Sequence, residues 1–86
     1  MKEFINNSIS KRFFEALNLA VASGAIRGIQ TFCAEHNIDR RNLLKAQNDP
    51  ALKIQLTWIY YLCNDFNFSA DWIITGKGPK YNDILK

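Results

Sequence analysis

Arg40, Arg41, Asn42, Lys45 and Asn48 crowd into the stretch RRNLLKAQN, residues 40–48. Their chemistry is that of reading base-pair edges. A guanidinium grips guanine O6 and N7 with two bonds, and a carboxamide does the same for adenine N6 and N7. Gln30 adds a second carboxamide upstream, while Arg27 and Lys53 could extend a phosphate clamp or serve as ordinary surface charge. Non-covalent recognition of a polyanion is therefore the chemistry these residues suit. The formal net charge of +3 and pI of about 9.0 are compatible with an anionic partner without requiring one.

Other chemistries find little to work with. His36 is the single histidine, and no carboxylate pair or nucleophile–base pairing is evident, so an enzyme is not expected. Cys33 and Cys63 fall on apolar stripes and read as reduced core thiols. Together with His36 they make too few ligands for a metal site, and no cofactor is expected. The GKG at 76–78 lacks the upstream glycine, the hydroxyl residue and the preceding strand of a phosphate loop.

A helix must carry residues 40–48 if one edge of them is to face outward. The 86 residues, 48% hydrophobic and 13% aromatic, suit one small globular domain, and the apolar pattern is helical throughout. The spacing predicts a first helix from Lys11 to Ser23, capped by Ser10 with Ile9 and Phe14 stapled across the cap, and stopped at Gly24. A second helix is expected from Ile29 to His36. A third starts after the cap Asp39, with Ile38 and Leu43 as its staple, and Pro50 limits its length. The fourth is expected from Ala51 or Leu52 to Phe66. One of its stripes holds Leu52, Leu56, Ile59, Leu62, Cys63 and Phe66, and another holds Ile54, Trp58 and Tyr61. Ser69 should cap a short fifth helix, stapled by Phe68 and Ile73 and ended by Gly76 or Gly78. This divides the chain into an N-terminal tail at 1–9, an all-α, compact five-helix domain at 10–81 and a C-terminal tail at 82–86. No apolar run approaches the ~20 residues of a membrane span. The start MKEFINNS has no signal-peptide core, so a cytoplasmic protein is expected.

The junction between helices two and three carries most of the information. Two helices packed steeply through a tight turn need a small residue where they cross, which Cys33 supplies, and a large apolar one before it, which Phe32 supplies. The turn needs a residue tolerant of positive φ, and Asn37 is among the best after glycine. Ile38, Leu43 and Ala46 then point inward. That leaves Arg40, Arg41, Leu44, Lys45 and Asn48 outside, with Asn42 and Gln47 at the margins, and Leu44 could touch a thymine methyl.

On these residues, GIQTFCAEHNIDRRNLLKAQND at 28–49 and FSADWIITGKGPKY at 68–81, the chain resembles the phage-repressor-like, XRE-type helix-turn-helix family. The resemblance covers residues 10–81. It implies a five-helix DNA-binding domain acting as a homodimer on double-stranded DNA. DNA contacts would come from Gln30, Arg40, Arg41, Lys45 and Asn48, with Asn42 beside them. In that geometry helix two also points its first N–H groups at the phosphate backbone. The chain departs from the family pattern at Asn37, where glycine is usual, at His36, where an apolar residue is common, and at Ala46 and Asn48.

The blander alternative is that Arg40, Arg41 and Lys45 form a solvated helix face. Cations in a first helical turn oppose the macrodipole by a few tenths of a kcal/mol each, and Asp39 offsets some of that. A sequence serving stability alone would favour acids there. The expected function is a sequence-specific DNA-binding regulator, a repressor, with residues 40–48 in the major groove. A protein-interaction module on the same fold, using exposed aromatics such as Tyr60, and an antitoxin-like autoregulator stay open. Trp72, Ile73 and Ile74 are read as core, with a dimer seam as the alternative.

Overall fold

The computed structural model describes residues 2–49 and 54–82, with side chains from residue 8 onward. Five α-helices follow one another: α1 (Lys2–Ala22), α2 (Ile29–Glu35), α3 (Arg40–Asn48), α4 (Leu56–Phe66) and α5 (Ala70–Thr75). Among the described residues there is no strand, only an isolated antiparallel bridge between Phe68 and Tyr81. No helix among them is long and apolar enough to cross a membrane.

The long α1 is the spine, and α2, α3, α4 and α5 all pack against it. Its buried face is Phe13, Phe14, Ala16, Leu17 and Ala20. Residues 2–9 are helical, not a tail, and Ser10 is an interior helical residue, not a cap. The reason lies in the stripe itself. Ile9 packs against the core and Ser10 is 8% exposed, so the inward face already runs upstream of the expected start. A chain leaving the helix at Ser10 would pull Ile9 off that face. Phe4 and Ile5 have side chains outside the described set, as does the tail segment beyond Asn82.

Phe32, Leu17, Phe13, Leu43, Leu62, Phe68 and Ile73 are the large side chains closed completely from solvent. They come from every helix and from Phe68, which precedes the Ser69 cap of α5, and this makes one shared core. Trp72 and Ile73 belong to it, so they cannot line a dimer seam, whereas Ile74 is exposed.

α4 starts at Leu56, later than its apolar pattern suggests. Ile54 packs against the core from non-helical backbone, and Gln55, extended at φ −84° and ψ 145°, is the N-cap. Leu56 then faces solvent at 73% exposure instead of joining the inward stripe. Leu52 lies outside the described residues. The stripe proper is Trp58, Ile59 and Leu62, flanked by the half-buried Tyr61, Cys63 and Phe66.

The start of α5 is held by a local cap and by long-range backbone partners. Ser69 Oγ accepts the Trp72 amide, while the Ser69 amide donates to the Lys80 carbonyl. The Asn82 amide donates to the Asn67 carbonyl, and the Tyr81 ring stacks on Phe68 with centroids 4.7 Å apart. At the other end Gly76 takes the left-handed φ of 77° and stops the helix.

Candidate nucleic-acid interface

The turn between α2 and α3 begins at Asn37, whose φ is 55°. Its carboxamide is short enough for this region, which costs most side chains ~1–2 kcal/mol. The reversal is fixed on both sides. The His36 amide donates to the Phe32 carbonyl and the Ile38 amide to the Cys33 carbonyl. Asp39 then caps α3, its Oδ1 accepting the Arg41 amide at 2.9 Å. Phe32 and Cys33 on one side, and Leu43 and Ala46 on the other, are buried, and Ile38 packs against the same core. Each inward position expected at this junction is filled as expected.

With Leu43 and Ala46 committed inward, the opposite edge of α3 is set by helical geometry. Arg40, Arg41, Asn42, Lys45 and Asn48 are all exposed, and so are Gln47, Gln30 and Arg27. Leu44, expected outside, is half-buried, so it is poorly offered to a partner. Lys53 lies outside the described residues. Among the described residues the ion pairs are Lys80–Glu15 and His36–Asp65, and neither engages Arg40, Arg41 or Lys45. Neither of these pairs, found among the described residues, neutralises the cations of α3. Two of them occupy the first turn, where no acidic residue sits within the helix.

Gln30 is held differently from the rest. Its carboxamide folds back over Gly28, the N-cap of α2, so closely that a Cβ on Gly28 would lie 2.7 Å from Oε1. Gly28 has extended backbone, φ −179°, and no side chain that could cap the helix. The glycine thus makes room for Gln30, a relation its neighbours in sequence do not signal.

Cys33 lies behind this edge. Burial pushes its thiol up, the Arg40 guanidinium pulls it partly back and Asp39 adds a small upward push. Cys63 is likewise raised by burial. Both are free thiols. A cleft of about 750 Å³ between α1 and the end of α3 is lined by Ser10, Lys11, Asn18 and Gln47, with Phe14 and Glu15.

A five-helix, all-α domain with a cationic, amide-bearing edge on its third helix is the class that fold and site define. Comparison with protein-family models, curated proteins and solved structures finds no match.

Proposed function

We propose that this chain is a sequence-specific DNA-binding domain of the repressor-like helix-turn-helix kind, a transcriptional regulator and not an enzyme. One observation carries the reading. The exposed edge of α3 presents Arg40, Arg41, Asn42, Lys45 and Asn48 without ion-pair partners among the described residues, and the left-handed Asn37 turn sets that edge outward from α2. In this reading α3 enters the major groove, Gln30 reaches a phosphate, and the lysine and arginines supply affinity by releasing counterions. Placing bare cations at a helix N-terminus works against the fold, and readout of an anionic surface gives a reason for it.

A two-fold operator would call for a homodimer. Leu56, Tyr60 and Ile74 are exposed large apolar residues on α4 and α5 that could form its seam. The same exposure of Leu56 and Tyr60, one turn apart on α4, favours a second reading, an interaction module that binds protein through this face.

Selection of bound duplexes from a random pool, followed by anisotropy titration over a salt series, tests both. DNA readout predicts an enriched motif and affinity falling steeply with salt. An unenriched pool with no salt-dependent binding removes the first reading and leaves the second.

A further inference from the structure

We propose that Glu35, His36 and Asp65 form a binding site for a divalent transition-metal cation of the zinc type, tying the end of α2 to the end of α4. This does not depend on the DNA reading. The three residues offer one nitrogen and two carboxylates whose ligand atoms lie within 4.8 Å of one another. His36 Nε2 and Asp65 Oδ2 are already 2.6 Å apart, from positions 29 residues apart in sequence. His36 is half-buried, with 16% of its side-chain surface exposed, while Glu35 and Asp65 lie at the surface.

The imidazole is held before any ligand arrives. It lies flat on the Tyr61 ring, with centroids 4.0 Å apart and planes 8° from parallel, and it meets the Phe32 ring edge-on at 5.1 Å. A ring fixed on two sides loses little freedom when it coordinates, which favours binding.

Electrostatics points the same way. Glu35 is the last residue of α2, and Asp65 lies in the last turn of α4. A helix C-terminus carries about half a negative charge, so carboxylates are misplaced there. Neither last turn contains a basic residue. α3, by comparison, has Lys45 in its last turn and α5 receives the Arg12 guanidinium, while α1 like α2 and α4 has no basic residue in its last turn. A divalent cation would place two positive charges at this corner and engage all three side chains.

One imidazole and two carboxylates suit zinc, cobalt or nickel better than calcium or magnesium, which favour all-oxygen sets. Ligand bonds of about 2.0–2.2 Å put neighbouring donors roughly 3 Å apart. The His36–Asp65 pair then opens slightly, and the exposed Glu35 swings in from the helix end. Nε2 gives its lone pair to the metal, the ring proton resides on Nδ1, and water fills the remaining positions.

The test is calorimetric titration of zinc chloride into the full chain, reduced and freed of metal with a chelator, together with imidazole nitrogen NMR. The single histidine makes that spectrum unambiguous. Expected are saturable 1:1 binding, a large shift of His36 Nε2, and weakening by at least ~10-fold in both Glu35→Gln and Asp65→Asn. Cys63→Ser should bind zinc as wild type does. Glu35 is exposed, so its variant keeps the test informative if Asp65→Asn unfolds the domain. The proposal is overturned by absence of saturable binding to the wild-type chain, by wild-type affinity in Glu35→Gln or in a folded Asp65→Asn, or by loss of binding in Cys63→Ser.

Discussion

The Arg12 guanidinium donates from Nε to the Ile73 carbonyl at 2.8 Å, and from a terminal nitrogen to the Ile74 carbonyl at 3.0 Å. A side chain from α1 thus closes the C-terminal end of α5, where carbonyls would otherwise lack partners. Arg12→Ala should destabilise the domain by about 1.5–3 kcal/mol, because hydrogen bonds from a charged donor are lost and the helix end loses its cation. Urea denaturation measures this. Gly76→Ala should cost a similar amount by another route, since φ is 77° and the new methyl would sit 2.9 Å from an Arg12 nitrogen.

Asn37 offers a cleaner test of the turn. Asn37→Gly should be close to neutral, because glycine accepts φ 55° without steric cost. Asn37→Val should lose roughly 1–2 kcal/mol or more, since a β-branched side chain is least tolerant of that region. Equal melting temperatures for the two variants would contradict the left-handed assignment.

The edge of α3 should show a conflict between stability and binding. Arg41→Glu puts an acid in the first turn and should stabilise the isolated domain by about 0.3–1 kcal/mol at low salt. The same change should abolish DNA binding if α3 is the reading helix. Arg40→Ala or Arg41→Ala should cost ~1–3 kcal/mol in affinity where the arginine pairs with a guanine, and Lys45→Ala should lower the salt slope by about one. Thermal melts and anisotropy titrations on the same samples separate the two effects.

The sequence makes the α2–α3 corner legible because every constraint there is local. Asn37, Asp39, Leu43 and Ala46 act within a few residues of one another, so turn chemistry and helical period suffice. The same holds for the caps and stops at Ser69 and Gly76. Ser10 misleads for a related reason: a serine before an apolar run has the form of a cap wherever it occurs, and only the packing of Ile9 shows that the helix is already under way. Arg12 with Ile73, 61 residues apart, and His36 with Asp65 leave no local trace, because tertiary packing alone brings them together. Asn67 ends α4 in the left-handed region, and asparagine, the usual substitute for glycine there, is also common in loops, so its sequence context alone does not mark the stop.

The thiols give a pH prediction. Both Cys33 and Cys63 are raised by burial, so the folded state holds their protons to higher pH than the unfolded chain does. Their contribution to stability is complete below the ordinary thiol value of about 8.5 and is lost as pH climbs through the raised folded values. Melting temperature should therefore fall between pH 8 and 10, roughly, and less so in a Cys33→Ala, Cys63→Ala double variant. Alkylation by iodoacetamide at neutral pH should be slower than for a free thiol at both positions, with Cys33, the more buried, slower than Cys63.

The fastening of Ser69 to Lys80, and of Asn67 to Asn82, bears on how the molecule is born. The amide that precedes α5 finds its acceptor only after residue 80 has left the ribosome, and Phe68 finds its stacking ring only with Tyr81. Until residues 80–82 emerge that seam stays wet, and the domain seals only once they arrive.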